Sequence, residues 1–300
     1  MSRLSTFANL GTNVEEATSV NEVLKMSNLD FEVVTQPIYT MHNGELMEYP
    51  GKVATVNKET GEQLGVVSDS YQVCQNQDAF DFVDYISSDL KFVKAGQTKG
   101  HLIYMIGQLP DIPVLGDDIT PYVIFQNSHD GQSSVRATIS PLRFVCQNQF
   151  NISFRDSSNT LSIRHSGEIA AKLEEGREML ANVANYMDVF RNGAESLAAK
   201  KMNKRQINKV FDTIFRYDPK MMSERQIINF EQKRDEFFSC LDCDDNQNLK
   251  RTAWGVVNGF ADFTTHKKLS DRENAAESAF LNTSILSRDM TKLYTMLEAI

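Results

Sequence analysis

The sequence predicts an α+β protein with an N-terminal antiparallel β-rich half, a helix covering one sheet face, and a C-terminal all-helical half. Three observations predict it. Residues 31–154 are dense in β-branched and aromatic side chains, broken by turn signals at HNG, ETG, TKG, LGDD and SHDG. Within that stretch, QNQDAFDFVDYISSDL places Ala79, Phe80, Phe82, Val83 and Ile86 at helical spacing, as a helix lying on a sheet would. From Gly167 onward, apolar or small positions step by four and three. The change of period divides the chain into a sheet domain over 1–165 and a helical domain over 166–300, or the two halves of one continuous fold.

The elements follow in order. A short helix is expected around Glu15 to Met26. KVATVNKETGEQLGVVSD reads as a hairpin turning at Lys58 to Gly61, and LKFVKAGQTKGHLIYMIGQLP as a second turning at Lys99 and Gly100. In the helical half, Ile169, Leu173, Gly176, Leu180, Val183, Met187, Phe190, Ala194 and Leu197 form a heptad seam. Such a seam is either the core-facing stripe of a helix packed on its own domain or a self-association surface, and the second reading makes a homo-oligomer a candidate state. Gly176 and Ala194 weaken it as a free-standing coiled coil. Further helices are expected at about 203–216, 223–240, 246–264 and 272–299.

Composition bounds the function. With 41% hydrophobic and 24% charged residues over 300 positions, the chain can bury a sizeable core, which excludes wholesale disorder. No apolar run approaches the ~20 residues of a bilayer crossing, and the start carries no hydrophobic signal core, so a cytoplasmic protein without a membrane partner is expected. Four scattered cysteines suit a reducing compartment. The formal charge of −9 is unevenly spread: residues 1–90 hold 4 basic and 14 acidic side chains, 91–165 hold 7 and 5, and 191–234 hold 11 and 5. Residues 235–248 then carry five acids and no base.

The motifs of common chemistry are missing. No GxxxxGK[ST] or GxGxxG loop cradles a phosphate, and no GxSxG elbow or HExxH pair is found. Cys240 and Cys243 form a C-x-x-C without a second pair to complete a zinc site, and the neighbouring acids at 242, 244 and 245 disfavour a reactive thiolate. No catalytic residue, metal or cofactor is therefore assigned. His129, Asp130 and His165 are the one nuclease-like grouping, and they lack the two or three acids such a metal site needs.

PYVIFQNSHDGQSSVRATISPLRFVCQNQFNISFRDSSNTLSIRHSG is unusual because polar side chains crowd strand-like runs. Arg136 stands at even spacing from Ser134, Thr138 and Ser140, which makes one strand face polar and basic. Arg136, Arg143, Arg155 and Arg164 beside Phe125, Phe144 and Phe150 would suit a single strand of nucleic acid, by charge to phosphates and stacking to bases, with Asn127, His129 and Asn148 shaping the loop. An ordinary solvated sheet face and a tight NSHDG turn explain the same residues. A second basic stretch, AAKKMNKRQINKV followed by FRYDPK, presents Lys200, Lys201, Lys204 and Arg205, either to phosphates or simply to solvent.

GEQLGVVSDSYQVCQNQDAFDF, PYVIFQNSHDGQSSVRATISPLRFVCQNQFN, SIRHSG and RTAWGVVNGFADF resemble the signature stretches of the phage/plasmid-like family known as domain of unknown function 932. The resemblance runs from about Leu24 to Leu297. It implies residence on a mobile element and action inside the host cell, and it brings no activity, cofactor or catalytic residue. A tryptophan motif expected near the family's start is absent, the only tryptophan being Trp254. The leading expectation is a non-catalytic nucleic-acid-binding protein, such as an oligomeric single-strand DNA binding or annealing factor in replication or recombination. The alternatives are a factor acting on a host protein through the acidic N-terminal half, in the manner of counter-defence, and, third, a metal-dependent nuclease.

Overall fold

The computed structural model describes residues 10–85, 89–98, 100–131, 135–143, 148–149, 160–163, 169–243, 246–266 and 285–300. The antiparallel β-rich half and the helical half are both present, and the protein is α+β.

Two sheets make up the first half. The large sheet runs in the order β1 (Thr12–Asn13), β5 (Lys91–Thr98), β6 (Leu102–Gln108), β8 (Asp117–Ser128), β9 (Val135–Arg143), β10 (Asn148–Gln149). β7 (Ile112–Val114) pairs with β8, and β11 (Thr160–Ile163) with β9. The small sheet is β2 (Val33–His42), β3 (Glu45–Asn57) and β4 (Gln63–Ser68). Both expected hairpins form, β3/β4 turning through 58–61 and β5/β6 through 99–101, the first with Gly61 at a φ of +74° that suits glycine at the turn. Lys99 lies outside the described residues.

The first helix is shorter than expected. α1 (Val20–Met26) begins only where Ser19 caps it, its hydroxyl accepting from the Glu22 N–H, and where Asp84 accepts the Val20 N–H at 2.7 Å. The covering helix is α2 (Asn76–Phe80), continued as a 3₁₀ turn over Asp81–Tyr85, which buries Phe80, Phe82 and Val83 against the large sheet. Phe82 meets Phe125 edge-on, with ring centroids 5.9 Å apart.

In the second half, α3 (Ile169–Ala199) carries the heptad seam. Val183, Met187, Phe190, Ala194 and Leu197 are all buried within the chain, facing α6 (Ala253–His266), the 3₁₀ turn and β7. Over these positions the seam is a core stripe, while the side chains of Ile169, Leu173, Gly176 and Leu180 lie outside the described residues. Phe190 packs edge-on against Trp254 at 5.6 Å, which gives the single tryptophan a core role. α4 (Lys204–Ile214) and α5 (Glu224–Leu241) start at full capping boxes, Asn203 with Gln206 and Ser223 with Gln226. α6 starts at Ala253 rather than near 246, because Asn246 turns inward and donates to the Leu241 and Gly255 carbonyls while Thr252 caps the helix through the Gly255 N–H. α7 (Ile285–Glu298) closes the chain. Among the described residues no helix is long and apolar enough to cross a membrane.

One buried apolar cluster runs from Val14 through the sheet and helices to Leu297. Its helical part is a knot of phenylalanines, with Phe211 at 4.6, 5.5, 5.0 and 6.4 Å from Phe215, Phe230, Phe237 and Phe263. Phe211→Ala is expected to cost about 3–5 kcal/mol, read as a lowered urea midpoint, and an unchanged midpoint would show that this knot does not hold the helices.

Candidate functional site

The NSHDG stretch, expected as an exposed loop beside a binding surface, begins inside β8 and is largely interior. Asn127 and His129 are both fully buried. The Asn127 carboxamide donates to the Cys74 carbonyl at 3.2 Å and to Asn76 Oδ1 at 3.1 Å. His129 Nε2 lies 2.9 Å from the same Asn76 oxygen, which can only accept, so the imidazole carries its proton on Nε2. Asn76 in turn donates to the Leu29 carbonyl at 2.8 Å. The small sheet is fastened here too: Thr55 donates its hydroxyl to the His129 carbonyl at 2.7 Å, and a Cβ at Gly65 would come within 2.5 Å of the Asp130 Cα. Around the rim, Ser128 donates to Asp130 at 2.5 Å, and His101 lies 3.2 Å from the other oxygen of that carboxylate. Burial, with the nearby Cys74 and Asp130, raises the pKa of Tyr71, whose hydroxyl reaches the Ser128 carbonyl.

Asn127 and His129 therefore do not shape a ligand loop, and the reading of them as nucleic-acid contacts is corrected: a side chain with no exposed surface cannot touch a strand. The same burial removes His129 from a metal-bound nuclease site, since its Nε2 already serves Asn76. Among the described residues no three His, Cys, Asp or Glu side chains are grouped to hold an ion. His165 lies outside them.

The arginine strand also differs from expectation. Arg136 is exposed, but Gln126 opposite it and Thr138 and Ser140 on the same face are buried, so no open polar platform extends along β9. Phe125 pairs with Ala137 and faces the core, on the side opposite to Arg136. The backbone of Arg143 pairs with Ile119, and its side chain lies outside the described residues. The backbone of Asn148 pairs with Arg143, while Arg155, Arg164, Phe144 and Phe150 lie outside the described residues.

The second basic stretch is built differently. α4 buries Ile207, Val210, Phe211 and Ile214, and that stripe turns Lys204, Arg205 and Lys209 to solvent. The helix ends with Arg216 at a φ of +54°, the left-handed position where glycine is usual, as the Tyr217 N–H closes onto the Asp212 carbonyl at 2.9 Å. A groove of about 470 Å³ follows, with Arg205, Lys209 and Arg216 along it and Asn208, Thr213 and Tyr217 between them. Its one carboxylate, Asp212, is engaged by Arg234 at 2.7 Å. Arg234 also lies over the Tyr217 and Phe230 rings, which stack 4.4 Å apart and hold the groove's aromatic end rigid. Behind it, Lys292 donates to the Thr213 carbonyl, and Lys233 lies 3.3 Å from the Phe215 ring centroid. Asp289 stands beside Lys233, Lys292 and Arg216; burial raises its pKa and those three cations oppose the rise.

Of the four cations read from the sequence, Lys204 and Arg205 are exposed on α4 and Lys201 is exposed just before it. Lys200 is engaged elsewhere, donating to the Leu297 and Glu298 carbonyls at 3.2 and 2.7 Å, where it completes the C-terminus of α7. Lys209 and Arg216, which fall within the same two basic stretches, join the groove, and the Arg205/Lys209 spacing of four places both on one helix face.

The family profile described as Domain of unknown function (DUF932) matches residues 63–286. The chain belongs to the DUF932 family. None of the curated proteins and none of the solved structures matches it. The DUF932 region takes in the buried NSHDG junction and the basic groove, and it leaves out β2 and β3. Cys240 lies in the last turn of α5 and Cys243 follows it, its N–H donating back to the Cys240 carbonyl.

Because Asn76 satisfies three buried partners at once, Asn76→Ala is expected to lower stability by about 3 kcal/mol, seen in the denaturant midpoint, with His129→Ala destabilising in parallel. A His129→Ala protein of unchanged stability would contradict the structural role.

Proposed function

We propose that this DUF932 protein binds single-stranded nucleic acid, without catalysing a reaction on it, along the groove between α4 and the turn after it. The observation that carries this reading is the convergence of Arg205, Lys209 and Arg216 on one concave surface of a chain whose formal net charge is −9. In a chain of the opposite overall sign, such a local field draws anions to this groove while the rest of the surface repels them. Arginine forks and a lysine supply contacts to successive phosphates, and Tyr217, held by Phe230 and Arg234, offers a base an aromatic edge. A narrow groove on the flank of one helix suits a flexible strand better than a stiff duplex. Replication or recombination of a phage or plasmid, in the cytoplasm of its host, is the setting such an activity would serve.

The test is fluorescence anisotropy of labelled single-stranded DNA, single-stranded RNA and duplex DNA across a salt series. The wild type should prefer single strands and weaken as salt rises. Arg205→Ala, Lys209→Ala and Arg216→Ala combined should reduce the slope of log affinity against log salt by about 2, at roughly 0.7 for each phosphate that no cation then neutralises. Arg136→Ala should change affinity little. Absence of binding at low salt, or a slope the triple variant leaves intact, would refute the reading.

A further inference from the structure

β2 and β3 continue well past the small sheet. Their pairing is interrupted between Pro37 and Tyr39, with Pro50 and Gly51, at a φ of +73°, on the opposite strand, and then resumes from Tyr39↔Glu48 to His42↔Glu45. Asn43 and Gly44, at φ of +50° and +85°, close the tip with the two left-handed residues that a tight hairpin needs. Beyond the interruption the ribbon stands clear of the molecule, and every residue from 39 to 52 is exposed.

Its side chains do not suit that exposure. Tyr39 is 55% exposed, Met41 73%, Leu46 69% and Met47 53%. Tyr39, Met41 and Leu46 share one side of the ribbon and Met47 lies on the other, so both sides are apolar. A lone two-stranded ribbon is marginal in water, and apolar side chains on both its sides fit a ribbon that is covered in use. The charges say what covers it. From Val33 to Gly51 the arm carries Glu45 and Glu48 and no lysine or arginine. The same chain presents the converse surface on α4, α5 and their connection: exposed Lys204, Arg205, Lys209 and Arg216, with Met221 84% and Ile228 54% exposed.

We propose that the β2–β3 arm docks on the α4–α5 face of a second copy of this chain. An acidic, apolar ribbon meets a basic, apolar face, and the contact joins different surfaces of the two copies. It closes as a two-fold pair where both arms are exchanged, and otherwise repeats head-to-tail into a ring or a filament. The face shares Arg205, Lys209 and Arg216 with the proposed nucleic-acid groove, so arm and strand would compete for it, and the inference is tested with no nucleic acid present.

Sedimentation velocity of the full chain over a concentration series should give masses above the 34.0 kDa of one copy, rising with concentration. Glu45→Lys with Glu48→Lys should return the protein to one copy, as should Lys209→Glu with Arg216→Glu. Mixing the two double variants should restore association, because the reversed arm of one then matches the reversed face of the other. All four sites are exposed, and circular dichroism checks that each variant folds. A single-copy mass for the wild type at every concentration overturns the proposal. So does a lysine-arm variant that associates as the wild type does, which would point to a foreign protein or to pairing of arm with arm. A mixture that stays at one copy overturns it as well.

Discussion

Asn76 is the point on which the two sheets and the first helical segment depend. Its oxygen accepts from Asn127 and from His129, at 3.1 and 2.9 Å, and its amide donates to Leu29. Since these side chains are buried, each of their polar groups would otherwise lose its hydration without return, which makes the arrangement close to all-or-none. It fixes the end of β8 and the start of α2, and through the His129 carbonyl and Thr55 it fixes the small sheet as well. Gly65 and Asp130 approach so closely that no side chain fits between them, so the small sheet has one seating. The arm is an extension of that small sheet, and its direction is set by the same lock.

Much of the frame was legible. Turn chemistry at NKETG and TKG fixed both hairpins, because glycine and its polar neighbours at those points permit few other backbones. The change of period near residue 167 marked the helical half, and the helix starts expected at about 203 and 223 fall on the residues that cap α4 and α5. The candidate site was legible only in part, for a reason visible at β9. Alternation tells which residues share a strand face, but not whether that face is covered. Ser140, Thr138 and Arg136 share one, and only the last reaches solvent.

Charge blocks suffer from a similar blindness. Lys200 and Lys204 belong to the same basic run, yet one closes the carbonyl end of α7 and the other is exposed on α4. A count cannot separate them, because the partner of Lys200 lies about a hundred positions along the chain. Helical period does separate them within α4: once Ile207, Val210, Phe211 and Ile214 are assigned to the core, Arg205 and Lys209 have only the solvent side left.

The most distinctive stretch of the sequence, NSHDG, turns out to report architecture. That follows from energetics rather than accident, because a buried polar lock tolerates substitution poorly and leaves a sharply defined motif. A binding surface is better sought where a residue disagrees with its local setting and the core gains nothing from it. Arg216 holds a left-handed conformation that glycine would adopt at less cost, and its side chain is exposed. Tyr39, Met41 and Leu46 occupy a ribbon in water where polar residues would be more soluble. Arg216 offsets part of the burial of Asp289 but keeps an exposed side chain, and the ribbon's apolar side chains have no cover among the described residues, so both departures fit surfaces that meet a partner. The cationic groove and the acidic arm are the two surfaces of the described residues for which partners are proposed, and their chemistries are complementary.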